Sequence, residues 1–328
     1  MDFTESAELA LVRESVRRIG AGFGHRYWSE KARTGGRLDE LWRALGEGGF
    51  LGANLPPAFG GGGLGIAATA IVCEELAAAG CPLLLMVVSP SICGTILARF
   101  GTEAQQEAWL PDIASGRRKM AFALTEPDAG SNTHNVATTA ARDGSGWRLR
   151  GSKIYISFAD EADAILVVAR TATDERTGRA RLSLFVVPAD APGLRKDLIP
   201  VEIVAPDRQF LLFFDDVALP EDALVGRPGE GLRQLFHGLN PERITGAAMA
   251  VGTGLYALAR ACDYARQRKV WDVPIGAHQG LAHPLAQAKI DLELARLMTQ
   301  KAAWLHDTGQ EAGEAANMAK FAAAEAAL

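Results

Sequence analysis

Cysteine is scarce and scattered in this chain: four in 328 residues, Cys73, Cys81, Cys93 and Cys262, with no CxxC spacing. Each lies among apolar neighbours, so the four read as reduced core thiols rather than a disulfide framework or a zinc ribbon, which points to a cytoplasmic compartment. Long apolar runs are also missing. No stretch reaches the roughly 18 residues of a membrane span, and the start, acidic from Asp2, lacks the cationic region and apolar run of a secretory signal. Neither sign of charge dominates. Lys+Arg 34 against Asp+Glu 39 leaves a net charge of -5, with both signs spread along the chain. A phosphate backbone would require a basic stripe, so nucleic acid is not an expected partner. The six histidines form no His-x-x-x-His or His-Glu pattern, and Ser131 lacks the glycines of a nucleophile elbow, which removes metal and serine-hydrolase chemistry. The glycine-dense stretch from Phe59 to Gly65 has no strand before it and no Gly-Lys-Ser/Thr ending. It is a loop, not a phosphate cradle.

What is present is a change of hydrophobic period along the chain. From Thr4 to about Lys119 apolar residues recur at helical spacing, first at Leu9, Val12, Val16 and Ile19, then through Leu41 to Leu45 and Ala67 to Ala79. Between Met120 and about Val225 the period falls to two, in Trp147-Arg-Leu-Arg, Ile154-Tyr-Ile, Ala164-Ile-Leu-Val-Val and Leu182-Ser-Leu-Phe-Val-Val. Turn segments separate these runs, so an antiparallel β-domain is expected. Helical spacing returns after Gly229-Glu-Gly231, over Leu232 to Gln267 and Gln279 to Trp304, and the chain stops inside a third, alanine-rich helix. The fold class is therefore α+β: an N-terminal α-helical domain over residues 1–119, a middle antiparallel β-domain over 120–225 and an incomplete C-terminal helical bundle over 226–328. No βαβ alternation supports a parallel dinucleotide-binding sheet, so a nicotinamide enzyme is disfavoured.

Four segments carry chemistry. Leu124-Thr125-Glu126-Pro127 ends a strand in a polar turn, and Asp128-Ala-Gly-Ser131 offers backbone N–H groups and a hydroxyl to anionic or carbonyl oxygens. In Lys153-Ile-Tyr-Ile-Ser157 strand alternation places Tyr155 and Ser157 on one face, an aromatic ring beside a hydroxyl. Tyr264-Ala-Arg-Gln-Arg-Lys-Val-Trp271 reads by itself as a basic helix end. Asn240-Pro-Glu-Arg243 has two readings. It resembles a helix N-terminus with its cap, N1 proline and first-turn carboxylate, or it presents Glu242 as a base; a proline at 241 is in either case expected to break or kink a helix that continues past Leu239.

Taken in order, these segments resemble the signatures of the acyl-CoA dehydrogenase family, and the resemblance extends over essentially the whole chain. The resemblance implies FAD as cofactor. Phe122, Leu124, Thr125 and Ser131 would line it, although Asn132 stands where the family usually has Asp. Tyr155, Ile156 and Ser157 correspond to the family's Lys-x-Trp-Ile-Thr/Ser, with Tyr155 in place of Trp. Arg268 and Gln279, within a segment similar to Arg-x-x-Phe-Gly-x-Pro-Ile-x-x-x-Gln, would reach the FAD of a neighbouring subunit, with Trp271 and Asp272 replacing Phe and Gly. Phe213-Phe-Asp-Asp-Val-Ala-Leu-Pro220 is similar to the family's exit strand.

The implied reaction is α,β-dehydrogenation of an acyl-CoA thioester: a carboxylate takes the α-proton and hydride passes to flavin. The resemblance, of isovaleryl- and long-chain type, assigns the base to Glu242, with Ser131, Asn240 and Arg243 near the acyl-CoA. A second place where the family carries its base lies beyond the last residue of this chain. An electron-transfer flavoprotein and a homodimer or homotetramer are the implied partners. Two other readings keep the fold: a FAD-poor, non-catalytic subunit of a hetero-oligomer, and a flavin oxidase or monooxygenase.

Overall fold

The computed structural model describes residues 4–328, so the acidic start at Asp2 lies outside the described residues. The helical first third contains α1 (Ala7–Thr34), α2 (Asp39–Glu47), α3 (Gly65–Ala78), the single turn α4 (Leu84–Met86), α5 (Thr95–Phe100) and α6 (Glu103–Ser115). Ten strands and α7 (Gly231–Gln267), α8 (Gln279–Asp307) and α9 (Gly313–Ala327) complete the chain. Between α4 and α5, Val87–Gly94 winds as a π-helix around Pro90, which has no N–H to close an ordinary turn. A reciprocal capping box opens α6: the Gln105 N–H donates to Thr102 Oγ1 at 3.2 Å, and the Thr102 N–H donates to Gln105 Oε1 at 3.0 Å.

The chain divides into two compact units. One comprises residues 29–63 and 88–239 and holds the sheet. Its strands are β1 (Met120–Ala123), β2 (Thr139–Asp143), β3 (Gly146–Ser157), β4 (Ala164–Thr173), β5 (Ala180–Pro188), β6 (Leu194–Ile199), β7 (Gln209–Leu219) and β8 (Leu224–Val225), in the order β6-β7-β3-β2-β4-β5-β8 with β1 beside β4. Alternation along β4 explains its unbroken apolar run. Ile165, Val167 and Ala169 belong to one core cluster, with Phe185, Leu212 and Trp147. Ala164, Leu166 and Val168 belong to a second cluster, with Ile96, Leu97, Leu110 and Leu235 from the helices. A strand buried on both faces has no polar positions to spare.

The sheet is mostly antiparallel, with one departure from expectation. Both β1 and β2 run parallel to β4, with Met120 opposite Ala164 and Thr139 opposite Arg170. The other edge of β4 is occupied along its length by β5. Strands β1 and β2 therefore follow each other along a single edge, and residues 124–138 form an excursion from what is otherwise one strand line. This explains the parallel pairing: the chain leaves the edge and rejoins it in the same direction.

The other unit comprises, among the described residues, 4–28, 64–87 and 240–328. Gly24, at φ 67, joins two helical pieces within α1. Ionic contacts hold the first of these pieces to α3 and α8. Arg13 is only 9% exposed and donates to Glu74 Oε1 at 2.7 Å and to Glu75 and Glu5. Arg296 reaches the same Glu74 oxygen at 2.8 Å, and Arg17 reaches Glu75 at 3.0 Å. Asp307, at the end of α8, caps α3 by accepting from the Ile66 and Ala67 N–H groups at 2.7 and 2.9 Å. Gly65 permits that approach, since a Cβ there would lie 2.5 Å from the Asp307 carboxylate.

Among the described residues no helix is long and apolar enough to cross a membrane, no His/Cys/Asp/Glu group could hold a metal ion, and all four cysteines are free.

Arg13→Leu removes the cation that Glu74 and Glu75 share and leaves them Arg296 and Arg17 alone, so it is expected to cost about 1.5–3 kcal/mol, the range for lost hydrogen bonds to charged groups. Chemical denaturation checks this: a loss under about 1 kcal/mol, the range of an exposed pair, would show that the network is solvated.

Candidate functional site

In the sheet-bearing unit, the excursion between β1 and β2 gathers most of the expected cofactor residues. Phe122 and Leu124 alternate with buried Ala121 and Ala123, and both pack, half-buried, against the helix-facing core. Thr125 is half-buried beyond them, and its carbonyl accepts from the Ile154 N–H at 2.9 Å, which joins the loop to β3. Glu126 and Ala129 then exchange two backbone hydrogen bonds of 3.1 Å. The Ala129 amide is therefore already used, and the expectation of free N–H groups narrows to Asp128, Gly130 and Ser131, whose amides have no internal acceptor. Gly130 has open space where a Cβ would stand, and Ser131 is exposed.

Strand β3 meets this loop at a bulge. Lys153 pairs with Leu212 and Ile156 with Phe210, so β3 carries one residue more than β7 over this span. Tyr155 sits within the bulge at φ 58 with 61% of its surface exposed. A left-handed tyrosine presented to solvent beside a polar loop is costly, and such strain concentrates at functional positions. Ile156 is 2% exposed within the core cluster, so only its backbone can meet a cofactor. Ser157 is half-buried, and its hydroxyl donates to Gln209 Oε1 at 3.0 Å. An exposed ring, a held hydroxyl and three unused amides are the donor set and stacking surface that an anionic, aromatic cofactor requires.

Two residues not assigned a role from sequence hold this arrangement together. Lys153 is completely buried, and its Nζ donates to Leu124 O at 2.9 Å and to Glu126 Oε1 at 2.7 Å. The Glu126 carboxylate also accepts the Ala137 N–H at 2.6 Å and the Thr138 N–H at 3.0 Å. Burial pushes the Lys153 ammonium down to about 8, with Glu126 opposing the shift. For Glu126, burial is the largest influence and acts against its charge, but Lys153, Thr138 and the Ala137 amide together outweigh it and hold the carboxyl below its ordinary value. A signal for this pair was available in the alternation. Trp147, Leu149, Lys153 and Ile156 are the buried positions of β3, the first three at even spacing, and a lysine at an inward position requires an acid.

In the helical unit, Asn240, Pro241, Glu242 and Arg243 lie inside α7, more than two turns past its start, and the helix runs unbroken from Gly231 to Gln267. This removes the helix-cap reading and the expected break at Pro241. The helix tolerates the lost N–H because burial on both sides of the proline fixes it, with Leu235, Ile244, Ala247, Ala248 and Val251 all at 0–1% exposure. Arg243 donates to Asn240 Oδ1 at 3.3 Å, one turn back. Burial raises the Glu242 carboxyl above its ordinary value, with the cations of Arg243 and Lys320 opposing. A desolvated carboxylate without a close ion-pair partner is suited to accept a proton.

Arg268 and Gln279 flank a two-residue hairpin of β9 (Lys269–Val270) and β10 (Val273–Pro274), and both are exposed. Val273 pairs with Val270, leaving Trp271 and Asp272 as the turn at φ 51 and 64, a type I′ conformation usually built from Asn-Gly. Trp271 is 85% exposed. At the foot of the hairpin, Cys262, Ala265, Pro274, Ala277 and Leu285 line a groove of about 460 Å³.

Three family models match in chain order: acyl-CoA dehydrogenase N-terminal domain over residues 6–117, middle domain over 121–216 and C-terminal domain over 229–328. The chain is 58% identical over 326 residues to acyl-CoA dehydrogenase FadE12 of Mycobacterium tuberculosis, covering 99% of this chain and 84% of that protein. It is similar to the solved glutaryl-CoA dehydrogenase in complex with glutaryl-CoA, at 33% identity and a TM-score of 0.94 over 99% of this chain and 84% of the other. It is also similar to the FAD complex of PigA, at 28% identity and a TM-score of 0.92 over 100% of this chain and 86% of the other. Matched along nearly its whole length by all three models and by a relative of that identity, the chain belongs to the acyl-CoA dehydrogenase family, whose members are FAD-dependent enzymes.

Proposed function

We propose that this chain dehydrogenates an acyl-CoA thioester between its α- and β-carbons with Glu242 as the base. The observation that carries the assignment is the position of Glu242, half-buried inside α7, with its carboxyl raised above its ordinary value by burial, the direction that suits a general base. FAD, when bound, supplies the hydride acceptor. Glu242 takes the α-proton. Arg243, held by Asn240, and Lys320 keep cations near the carboxylate, which limits how far burial raises it. Ser131, Asn240 and Arg243 are the proposed contacts to acyl-CoA.

On the cofactor side, Thr125 and Ser131, with the amides of Gly130 and Ser131, would hold polar oxygens of FAD. Phe122, Leu124 and Tyr155 would supply apolar and aromatic surface, and Ile156 and Ser157 would contribute backbone and hydroxyl. Arg268 and Gln279 are assigned to the FAD of a second copy of this chain. The exposed, left-handed Trp271 between them supports a homo-oligomer, since a large ring held outwards at a conformational cost has its reason outside its own chain. Flavin reduced by substrate has to be reoxidised, and an electron-transfer flavoprotein is the proposed acceptor. The three-part division at 1–119, 120–225 and 226–328 is proposed as the domain organisation, in a cytoplasmic protein.

Glu242→Gln is expected to retain FAD and to lose about 10²–10⁴-fold in the rate of flavin bleaching by acyl-CoA under anaerobic conditions; undiminished bleaching would remove Glu242 as the base. Rapid reoxidation of the bleached flavin by oxygen would instead favour an oxidase. In the parent protein only the deprotonated carboxyl accepts the proton. The rate should therefore rise with pH along a limb displaced above the usual carboxylate value, and stopped-flow bleaching at a series of pH values reads that limb directly. Trp271→Ala should weaken self-association by roughly 30-fold or more, as expected for a buried aromatic anchor at an interface. Sedimentation velocity across a dilution series checks this, and an unchanged profile would mean that the ring is not in the interface.

A further inference from the structure

Residues 127–136 are held at both ends by one side chain. Glu126 stands at the entrance of the loop, and its carboxylate accepts the Ala137 and Thr138 N–H groups at the exit, at 2.6 and 3.0 Å. Lys153 Nζ divides its donors between that carboxylate, at 2.7 Å, and the Leu124 carbonyl, at 2.9 Å, both on the entrance side. From the exit side the Thr138 hydroxyl returns to β3, donating to Ser152 O at 3.1 Å. Gly151, at φ 141, leaves room for it, since a Cβ at that position would stand 2.6 Å from Thr138. Three segments, 124–126, 137–138 and 151–154, thus converge on one ion pair, and Tyr155 follows immediately in the bulge.

We propose that the buried Glu126–Lys153 pair is a positioning device for the cofactor, closing residues 127–136 into a single geometry and tying them to the β3 bulge. Neither side chain is exposed enough to touch a ligand, at 6% and 0% exposure. Fold stability alone does not account for the pair, because a well-packed apolar pair in its place would commonly be as stable or more so. The hydrogen bonds of the pair go to the two ends of the loop rather than to the sheet core. A loop fixed in this way before binding spares FAD the ordering cost that a slack loop would subtract from affinity. The inference rests on the FAD assignment.

The test uses the full chain and three variants: Glu126→Gln, Lys153→Met and the double substitution Lys153→Met with Glu126→Leu. Four quantities are measured: FAD affinity by fluorescence titration, the visible circular dichroism of bound flavin, hydrogen exchange over residues 124–138 in cofactor-free protein, and the thermal midpoint. Each single substitution should weaken FAD binding about tenfold or more, alter the flavin dichroism and speed exchange of the Ala137 and Thr138 amides, since the amides lose a charged acceptor in Glu126→Gln and that acceptor loses its buried cation in Lys153→Met. The double substitution removes both buried charges. Its thermal midpoint should recover towards the parent value while its FAD affinity stays low, a separation that a purely structural role does not produce. Affinity within twofold of the parent in folded single variants, or affinity recovering together with the midpoint in the double variant, would overturn the proposal. Failure of the parent itself to bind FAD would instead remove the cofactor assignment, and this inference with it.

Discussion

A lysine ammonium sealed from water is tolerable only beside an acid, and that requirement organises the sheet-bearing unit around Lys153. Its inward register on β3 draws Glu126 out of the loop, Glu126 in turn gathers the Ala137 and Thr138 amides, and the excursion between β1 and β2 is closed. The rest of that unit is arranged to allow it. Strand β4 is buried on both faces, one edge is filled by β5, and the other edge is shared by β1 and β2 in succession. A break in a strand line is where backbone groups lose their sheet partners. In this chain the break leaves polar atoms at the proposed cofactor site, and a buried ion pair fixes its two ends together.

The helical unit meets the corresponding problem by different means. Glu242 is unlike Glu74 and Glu75, which are equally part of that unit but are neutralised by Arg13, Arg17 and Arg296 at hydrogen-bond distance. The charges of Glu74 and Glu75 are consumed in holding helices together. Glu242 experiences only the more distant influence of Arg243 and Lys320, so burial prevails and its carboxyl is raised. Carboxylates of one chemical type thus take two roles according to whether a cation completes them.

Five described residues other than glycine have left-handed backbone, Tyr155, Phe158, Asp216, Trp271 and Asp272, and three of them lie in the candidate site segments. Tyr155, Trp271 and Asp272 all occupy the left-handed region that glycine or asparagine normally fills. Two of the three are aromatic rings with most of their surface exposed, and both lie in motifs that match the family signatures. Unfavourable φ values combined with exposed rings have no explanation in the packing of the chain itself. They follow if the rings are placed for a cofactor and for a second subunit.

Much of this was legible from residue order alone. The change from helical to alternating period and back located the strands between Met120 and Val225 and the helices on either side, because burial of one face imposes that period whatever the partner. The chemistry-bearing segments were visible as motifs for a similar reason, since turn residues and hydroxyls at fixed offsets have local causes. Other features were decided only in three dimensions. Pro241 looked like a helix boundary, yet α7 passes through it because buried side chains on both sides outweigh one missing N–H. The alternation at Tyr155 is interrupted by a bulge that depends on the length of β7 opposite. The parallel pairing of β1 and β2 arises from sharing one edge of β4, and the Glu126–Lys153 pair joins residues 27 positions apart. Local sequence determined which elements form and which residue types they present; tertiary structure decided which charges are taken out of water, and therefore which carboxylates are completed by a cation and which one is left with its carboxyl raised.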